Sequence, residues 1–362
     1  MADLTPDRVQ QALATVVDPN TGKDLVAMRA VRNVRVDGGV VDVDVELGYP
    51  AASQVEDLRR RVVERLAAEG AVQVRANVRW KIVSHAVQRG LKPLPEVRNI
   101  IAVSSGKGGV GKSTVAANLA LALAAEGARV GMLDADIYGP SQPTMLGISG
   151  RPDSVDGKMI EPMEKHGIQA SSIGFLVDTD QPMVWRGPMV TSALQQLLAQ
   201  TRWRDLDYLV VDMPPGTGDI ALTLSQQVPV TGALIVTTPQ DIALLDAQKG
   251  LRMFEKVGVP ILGLVENMAV HVCSNCGHAE HVFGSGGAQK MAERYGIEVL
   301  GSLPLDIRIR TDADGGRPTV VADPGGPLAQ AYLAIARRVA IKVAATAKDM
   351  SLKIPTIKVA ST

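Results

Sequence analysis

The sequence predicts an α/β fold: a doubly wound, mostly parallel sheet built around a phosphate-binding loop, with a small α+β domain ahead of it. Three observations lead there. The stretch Gly106-Lys107-Gly108-Gly109-Val110-Gly111-Lys112-Ser113 matches G-x-x-x-x-G-K-[ST]. It lies between an apolar strand, Asn99–Val103, and a helix over Ser113–Ala125 with Val115, Leu119 and Leu123 on one face. Further apolar strands follow at Arg129–Leu133, Tyr208–Asp212, Gly232–Thr237 and Ile261–Asn267, with a helix over Leu244–Val257 between the last two, an alternation that gives a parallel sheet. Before the loop, apolar spacing switches between the helical period and two, the mark of a separate unit.

A chain of 362 residues is longer than most single domains and can bury a sizeable core. We divide it into a domain over 1–84, a linker over 85–98 containing Gly90, Pro93 and Pro95, a nucleotide domain over 99–345 and a tail over 346–362. The 38 basic and 38 acidic residues cancel, so no global field draws the protein to nucleic acid. No stretch is apolar enough to span a bilayer, and Met1–Pro6 lacks the basic start of a signal segment; the expectation is a soluble cytoplasmic protein. With two cysteines, disulfides are not what holds it together.

In the N-terminal unit Thr5 caps, and Pro6 opens, a helix that turns Val9, Ala12, Leu13 and Val16 to one side. Asp18-Pro19-Asn20-Thr21-Gly22 breaks the chain. A hairpin over Val31–Leu47 follows, turning at Asp37-Gly38-Gly39, with Val41, Val43 and Val45 alternating with Asp42, Asp44 and Glu46. Its acids read as a solvated sheet face rather than a metal site. A helix over Ser53–Ala68 and a strand over Val72–Trp80 complete the unit, which holds no nucleophile, ligand set or phosphate loop and reads as a recognition or assembly module.

The nucleotide-binding stretch runs from Gly106 to Thr114. Glycines at 106, 108, 109 and 111 let successive amides point inward as an anion nest, reinforced by the positive end of the following helix. Lys112 is expected to reach the β- and γ-phosphates and Ser113 to bind Mg²⁺. Lys107 is one lysine more than such a loop needs, and it has the reach to meet a nucleotide on another subunit. Asp134 and Asp136 stand at the carboxyl end of the strand after the loop, where ligands of open α/β sheets lie. Asp212 ends a buried strand in the Walker B manner, placed for the Mg²⁺ shell. The Pro- and Gly-rich loop Met213-Pro214-Pro215-Gly216-Thr217-Gly218-Asp219 behind it, including Gly216, is built to hold two conformations. Thr237-Thr238-Pro239-Gln240-Asp241 lacks the N-K-x-D that reads guanine, which favours ATP over GTP.

Arg186, in Trp185-Arg186-Gly187-Pro188-Met189, opens an apolar helix over Met189–Leu198; it is as well suited to an exposed structural role as to a phosphate. Both cysteines fall in His271-Val272-Cys273-Ser274-Asn275-Cys276-Gly277-His278-Ala279-Glu280-His281. Three readings stand: a mononuclear zinc site with His278 and His281, spaced more tightly than usual; a redox pair; or two chains each giving two thiolates to one four-thiolate site. The helix over Leu328–Ala344, alanine-rich and without Trp or Phe on its apolar side, reads as a packed closing helix rather than a membrane anchor.

The loop K-G-G-V-G-K-S-T resembles the deviant Walker A of the ParA, MinD and nitrogenase-iron-protein class of dimeric ATPases. Taken with Asp136, Asp212-Met213-Pro214-Pro215-Gly216-Thr217-Gly218-Asp219, Val265-Glu266-Asn267-Met268 and Cys273-x-x-Cys276, the chain resembles the Mrp/ApbC iron-sulfur cluster carriers over nearly its whole length. Asp18-Pro19 and the order of elements make the N-terminal unit similar to the small domain of cytosolic iron-sulfur assembly factors, though without the cysteine some of them carry. The resemblance implies a homodimer that binds a 4Fe-4S cluster between subunits through Cys273 and Cys276 and delivers it to apoproteins, with ATP and Mg²⁺ required. It also implies catalytic roles: Lys107 crossing the interface beside Lys112, Asp136 positioning the attacking water, Asp134 acting through the Mg²⁺ shell, and Asn267 lying against adenine. Two further readings are a ParA/MinD-like positioning ATPase, which the cysteine pair and neutral charge disfavour, and a nucleotide-gated dimer holding structural zinc.

Overall fold

The N-terminal unit is a three-stranded sheet backed by two helices, and the rest of the chain wraps a second, eight-stranded sheet. The structure is a computed structural model that describes residues 4–154, 157–176, 187–273 and 275–348; Arg186 and the tail beyond 348 lie outside them. Helix α1 (Pro6–Leu13) starts at Thr5, whose hydroxyl accepts from the Arg8 amide at 3.3 Å. Strands β1 (Val31–Asp37) and β2 (Val40–Leu47) form the expected hairpin, and α2 (Val55–Ala68) leads to β3 (Gln73–Trp80), which pairs parallel with β2. Along β2 the valines and Leu47 are buried against the helices. The acids face out, Asp44 accepting hydrogen bonds from the amides of Asn33 and Asn77, and Glu46 paired with Arg32 and Arg79. They form a solvated sheet face, as their alternation predicts.

The large sheet is built from β4 (Val97–Ser104), β5 (Val130–Asp134), β6 (Met163–Lys165), β7 (Ile168–Ser172), β8 (Leu206–Asp212), β9 (Gly232–Thr237), β10 (Ile261–Glu266) and, beyond a small ribbon of β11 (His271–Val272) and β12 (Ala279–Glu280), β13 (Val299–Ser302). Its order is β13-β10-β9-β4-β8-β5-β7-β6, parallel except where β6 runs against β7. The central strands are buried along their whole length, which is why they read as continuous apolar runs.

Helices cover both faces: α3 (Lys112–Ala125), α4 (Gln142–Leu146), α5 (Gly187–Gln200), α6 (Asp219–Gln227), α7 (Asp241–Lys256), α8 (Gly287–Tyr295), α9 (Ile307–Asp314), α10 (Thr319–Ala322) and α11 (Pro327–Ala345). Helix α3 is apolar nearly all round and is buried between the sheet and α11, whose own apolar residues, Tyr332, Ile335, Ala336 and Val339 among them, are covered in turn. Among the described residues no helix is long and apolar enough to cross a membrane. The core is continuous from Val9 and Leu66 of the first unit into α3 and α11. Between the sheets the chain is pinned: His85 Nδ1 meets Asn99 Oδ1 at 2.9 Å, and the Gln88 amide donates to the carbonyls of Ser225 and Val228.

Candidate nucleotide site and cysteine hairpin

Parallel pairing puts the site together. The registers Asp134↔Asp212 and Val103↔Asp212 set two strand-end carboxylates side by side, next to the point where β4 runs into the phosphate loop. The loop turns into α3 through Gly109 and Gly111, both at φ +81° in the left-handed region. Two neighbours clamp it. On one side a Cβ on Gly106 would lie 1.9 Å from the backbone carbon of Asp246 in α7. On the other, the Asn267 amide donates to the Val110 carbonyl at 2.9 Å, and a Cβ on Gly111 would meet that amide nitrogen at 2.2 Å. Gly216, at φ +86°, donates its N–H to the Ser105 carbonyl at 3.0 Å, which joins the Pro- and Gly-rich loop to the phosphate loop.

The charged centre is a closed network. Lys112, buried, donates to the Asp212 carboxylate and lies 3.1 Å from the Ser113 hydroxyl. Gln142 spans the same space: its side-chain amide donates to Asp212 Oδ2 at 2.9 Å and to the Ser113 carbonyl at 3.0 Å, while its N–H donates to Asp134 Oδ2 at 3.1 Å. Its own Oε1 is buried with no hydrogen-bond partner. Burial, and then the charge of Asp212, push Asp134 up to about 7, although Gln142, Asp136 and Ser172 all donate to it. Asp136 is raised too, by burial, with Lys112 opposing the shift. Lys107 is half-buried; its carbonyl accepts from the Ser105 hydroxyl. Val110 is buried under the loop, and Thr114 accepts from Asn118 within the first turn of α3. Among the residues expected at the site, Lys112, Ser113, Asp134, Asp136, Asp212 and the glycines converge here, and Asn267 reaches it from the end of β10.

Cys273 and Cys276 form a separate feature. The ribbon of β11 and β12 closes through Cys273 N–H to the His278 carbonyl at 2.9 Å and Gly277 N–H to the Cys273 carbonyl at 2.8 Å, with Gly277 left-handed at φ +72°. The amides of Cys276 and Asn275 point at the Cys273 sulfur and, with the Cys276 thiol and His271, hold that thiol below its ordinary range. Cys276 is exposed and Cys273 half-buried. His271 and His281 instead turn a ring nitrogen to the carbonyls of Leu305 and Ala269. Among the described residues no group of three or more His, Cys, Asp or Glu is gathered to hold a metal, so the zinc reading with His278 and His281 lacks its ligand set within one chain.

Gln142 is the site residue that sequence reasoning misses. Nothing in Gly139-Pro140-Ser141-Gln142 marks a polar core side chain; the one signal is Pro143 in the first turn of the helix that Gln142 opens, with the Gln142 N–H on Asp134 at the end of β5. Glu266 is another: it is buried and accepts from the Ala288 amide at 3.0 Å, fixing the start of α8 beside the site strand.

Residues 96–340 match a family model described as NUBPL iron-transfer P-loop NTPase, within the ParA group, and residues 6–78 match one described as iron-sulfur cluster assembly protein. A protein of Haemophilus influenzae named iron-sulfur cluster carrier protein is 52% identical over 346 residues, spanning 94% of each chain. The protein of that name from Escherichia coli K12 is 52% identical over 342 residues, 92% of this chain and 91% of its own. Mouse iron-sulfur cluster transfer protein NUBPL is 54% identical over 258 residues, 70% of this chain and 81% of its own. Among solved structures, a nucleotide-binding protein from Archaeoglobus fulgidus in complex with ADP is 39% identical, with a TM-score of 0.57 over 65% of this chain and 91% of its own. The cell division ATPase MinD of Pyrococcus furiosus, 24% identical with a TM-score of 0.50, covers 67% of this chain and 98% of its own and shares the fold.

Proposed function

The chain belongs to the family of NUBPL iron-transfer P-loop NTPases, and from that premise we propose that it is a cytoplasmic, ATP-hydrolysing carrier that holds a 4Fe-4S cluster between two subunits and hands it to apoproteins. The observation that carries this reading is the position of the cysteine hairpin. Strand β10 ends at Glu266; the next residue, Asn267, grips the phosphate loop at Val110, and the short segment 268–272 leads straight on to Cys273. A change in the loop therefore has a direct covalent and hydrogen-bonded path to the thiolates. One chain offers two soft ligands and a cluster takes four, so a second copy completes the set.

Within each chain the glycine loop and Lys112 receive the phosphates, and Asp136 is placed to orient the attacking water. Mg²⁺ fits the donors present: Ser113, Asp134 and Asp212 are hard oxygen ligands, directly or through water, and the unpartnered Gln142 Oε1 adds a fourth oxygen beside them. Bound there, the ion supplies neutralisation of charge on the transferred phosphoryl group. Binding requires Lys112 to exchange the Asp212 carboxylate for phosphate, which makes this buried pair the element that nucleotide reorganises. Lys107, with no ion-pair partner among the described residues, is free to serve the nucleotide of the other subunit.

Anaerobic reconstitution with iron and sulfide tests the proposal. Wild-type protein is expected to gain visible absorbance and about four iron atoms per dimer, the stoichiometry of one four-thiolate cluster, while Cys273→Ala/Cys276→Ala gains neither. Equal iron in both proteins, or zinc in place of iron by metal analysis, would remove the cluster from this site.

A further inference from the structure

Between the N-terminal unit and α11 lies an open cavity of about 720 Å³, within the usual range for small-molecule sites. Its wall carries seven lysines and arginines against two glutamates, in a chain whose total charge is zero. Both glutamates are engaged, Glu46 by Arg32 at 3.2 Å and Glu298 by Lys342 at 2.6 Å. Lys23, Arg29, Lys81 and Lys348 have no ion-pair partner among the described residues. An excess of cations on one wall raises the local positive potential and favours an anion there.

One feature distinguishes this wall from an ordinary solvated surface. His85, 2% exposed, lines the cavity with Nδ1 on Asn99 while its Nε2 makes no well-formed hydrogen bond. Leu47, Ile341 and Ala344 give one side an apolar lining suited to a carbon frame.

We propose that this cavity binds a small organic polyanion, two or three carboxylate or phosphate groups on a short carbon frame, and that the bound molecule ties the N-terminal unit to the nucleotide domain. Lys23, Arg29 and Lys81 approach from one side and Lys348 from beyond α11, so an occupant is shared by both parts of the fold.

The test is calorimetry and thermal melting of the full chain at fixed ionic strength, in Mg²⁺-free buffer with ADP saturating the phosphate loop. Tricarballylate and 3-phosphoglycerate are the probes, and their comparison separates carboxylate from phosphate recognition. At least one is expected to bind saturably and raise the melting temperature. Arg29→Ala/Lys81→Glu, both exposed side chains, is expected to weaken that binding about tenfold, while Arg60→Glu/Arg61→Glu on the outer face of α2 leaves it within about twofold. ADP affinity stays unchanged in both variants. Absence of saturable binding to wild type by either probe, or equal weakening in the two variants, overturns the proposal, the second outcome reducing the effect to general charge.

Discussion

Lys112 and Asp212 form an ion pair in the least exposed part of the molecule, and the balance there is set by what each group loses on burial. A buried pair of this kind adds little net stability, yet removing one partner leaves an uncompensated charge at a cost of about 3–5 kcal/mol. Asp134, neighbour to Asp212 in register, is pushed up to about 7 by its burial and then by the Asp212 charge. Gln142 holds the arrangement together, since its amide is the group that touches both Asp212 and the Ser113 carbonyl. Gln142→Ala is therefore expected to raise the KM for Mg²⁺-ATP about tenfold, the equivalent of about 1.4 kcal/mol and within the cost of leaving a buried acceptor unpaired. Binding of ADP without Mg²⁺ should stay within about twofold. Phosphate-release kinetics and calorimetry read the two quantities, and an equal loss in both would assign Gln142 to loop packing alone.

The phosphate loop owes its shape to two elements remote in sequence, α7 on the Gly106 side and the end of β10 on the Gly111 side. Gly106→Ala puts a methyl group within 1.9 to 2.3 Å of the Asp246 and Ala247 backbone, which no rotamer change relieves. Forced overpacking of this kind costs about 1–3 kcal/mol. The variant is expected to melt several degrees lower and to lose about tenfold or more in ADP affinity; wild-type values for both would show that α7 yields freely. Local sequence reports some of these elements far better than others. Strands β4, β8 and β9 are buried on both faces, so each reads as an unbroken apolar run, and the hairpin of β1 and β2 is legible from its alternating valines and Gly38-Gly39 turn. Helices α6, α8, α9 and α10 and strand β13 escape such a reading because they are short and are defined by what they pack against. The ribbon around Cys273 and Cys276 has two residues per strand, too few for any period. The loop glycines, Lys112 and the strand-end acids declare themselves through motif and position. By contrast, the clamps from Asp246 and Gln142 arise from tertiary approach and leave no local mark.

At the junction of its two sheets the molecule buries charge and polarity instead of a simple linker. Glu126, fully buried at the end of α3, accepts from Ser53 of the N-terminal unit at 2.8 Å and from Arg337 of α11 at 2.5 Å, so three parts of the chain share one carboxylate. The Trp80 ring sits so close to Gly127 that a Cβ there would lie 2.4 Å from it. Beside this contact His85 is buried, hydrogen-bonded to Asn99 and bridged in backbone to Lys348. Burial is the main cause that lowers its pKa from the ordinary 6.5; the Lys348 charge lowers it further, and the Asn99 hydrogen bond, with the nearby backbone of Ala344 and Val83, only partly opposes the shift. The sign of the consequence is fixed by linkage. Below pH 6.5 the unfolded chain takes up a proton here that the folded chain resists, so His85 contributes stability above that pH and loses it as pH falls towards its depressed folded value. His85→Gln keeps a side chain able to bond Asn99 but has nothing to titrate. Thermal melting between pH 7.5 and 5.5 is therefore expected to show a steeper acid loss in the wild type than in the variant, with the two converging in slope above pH 7. Parallel curves throughout would mean that the imidazole is already hydrated in the folded chain and that the junction is open to solvent on the time scale of protonation.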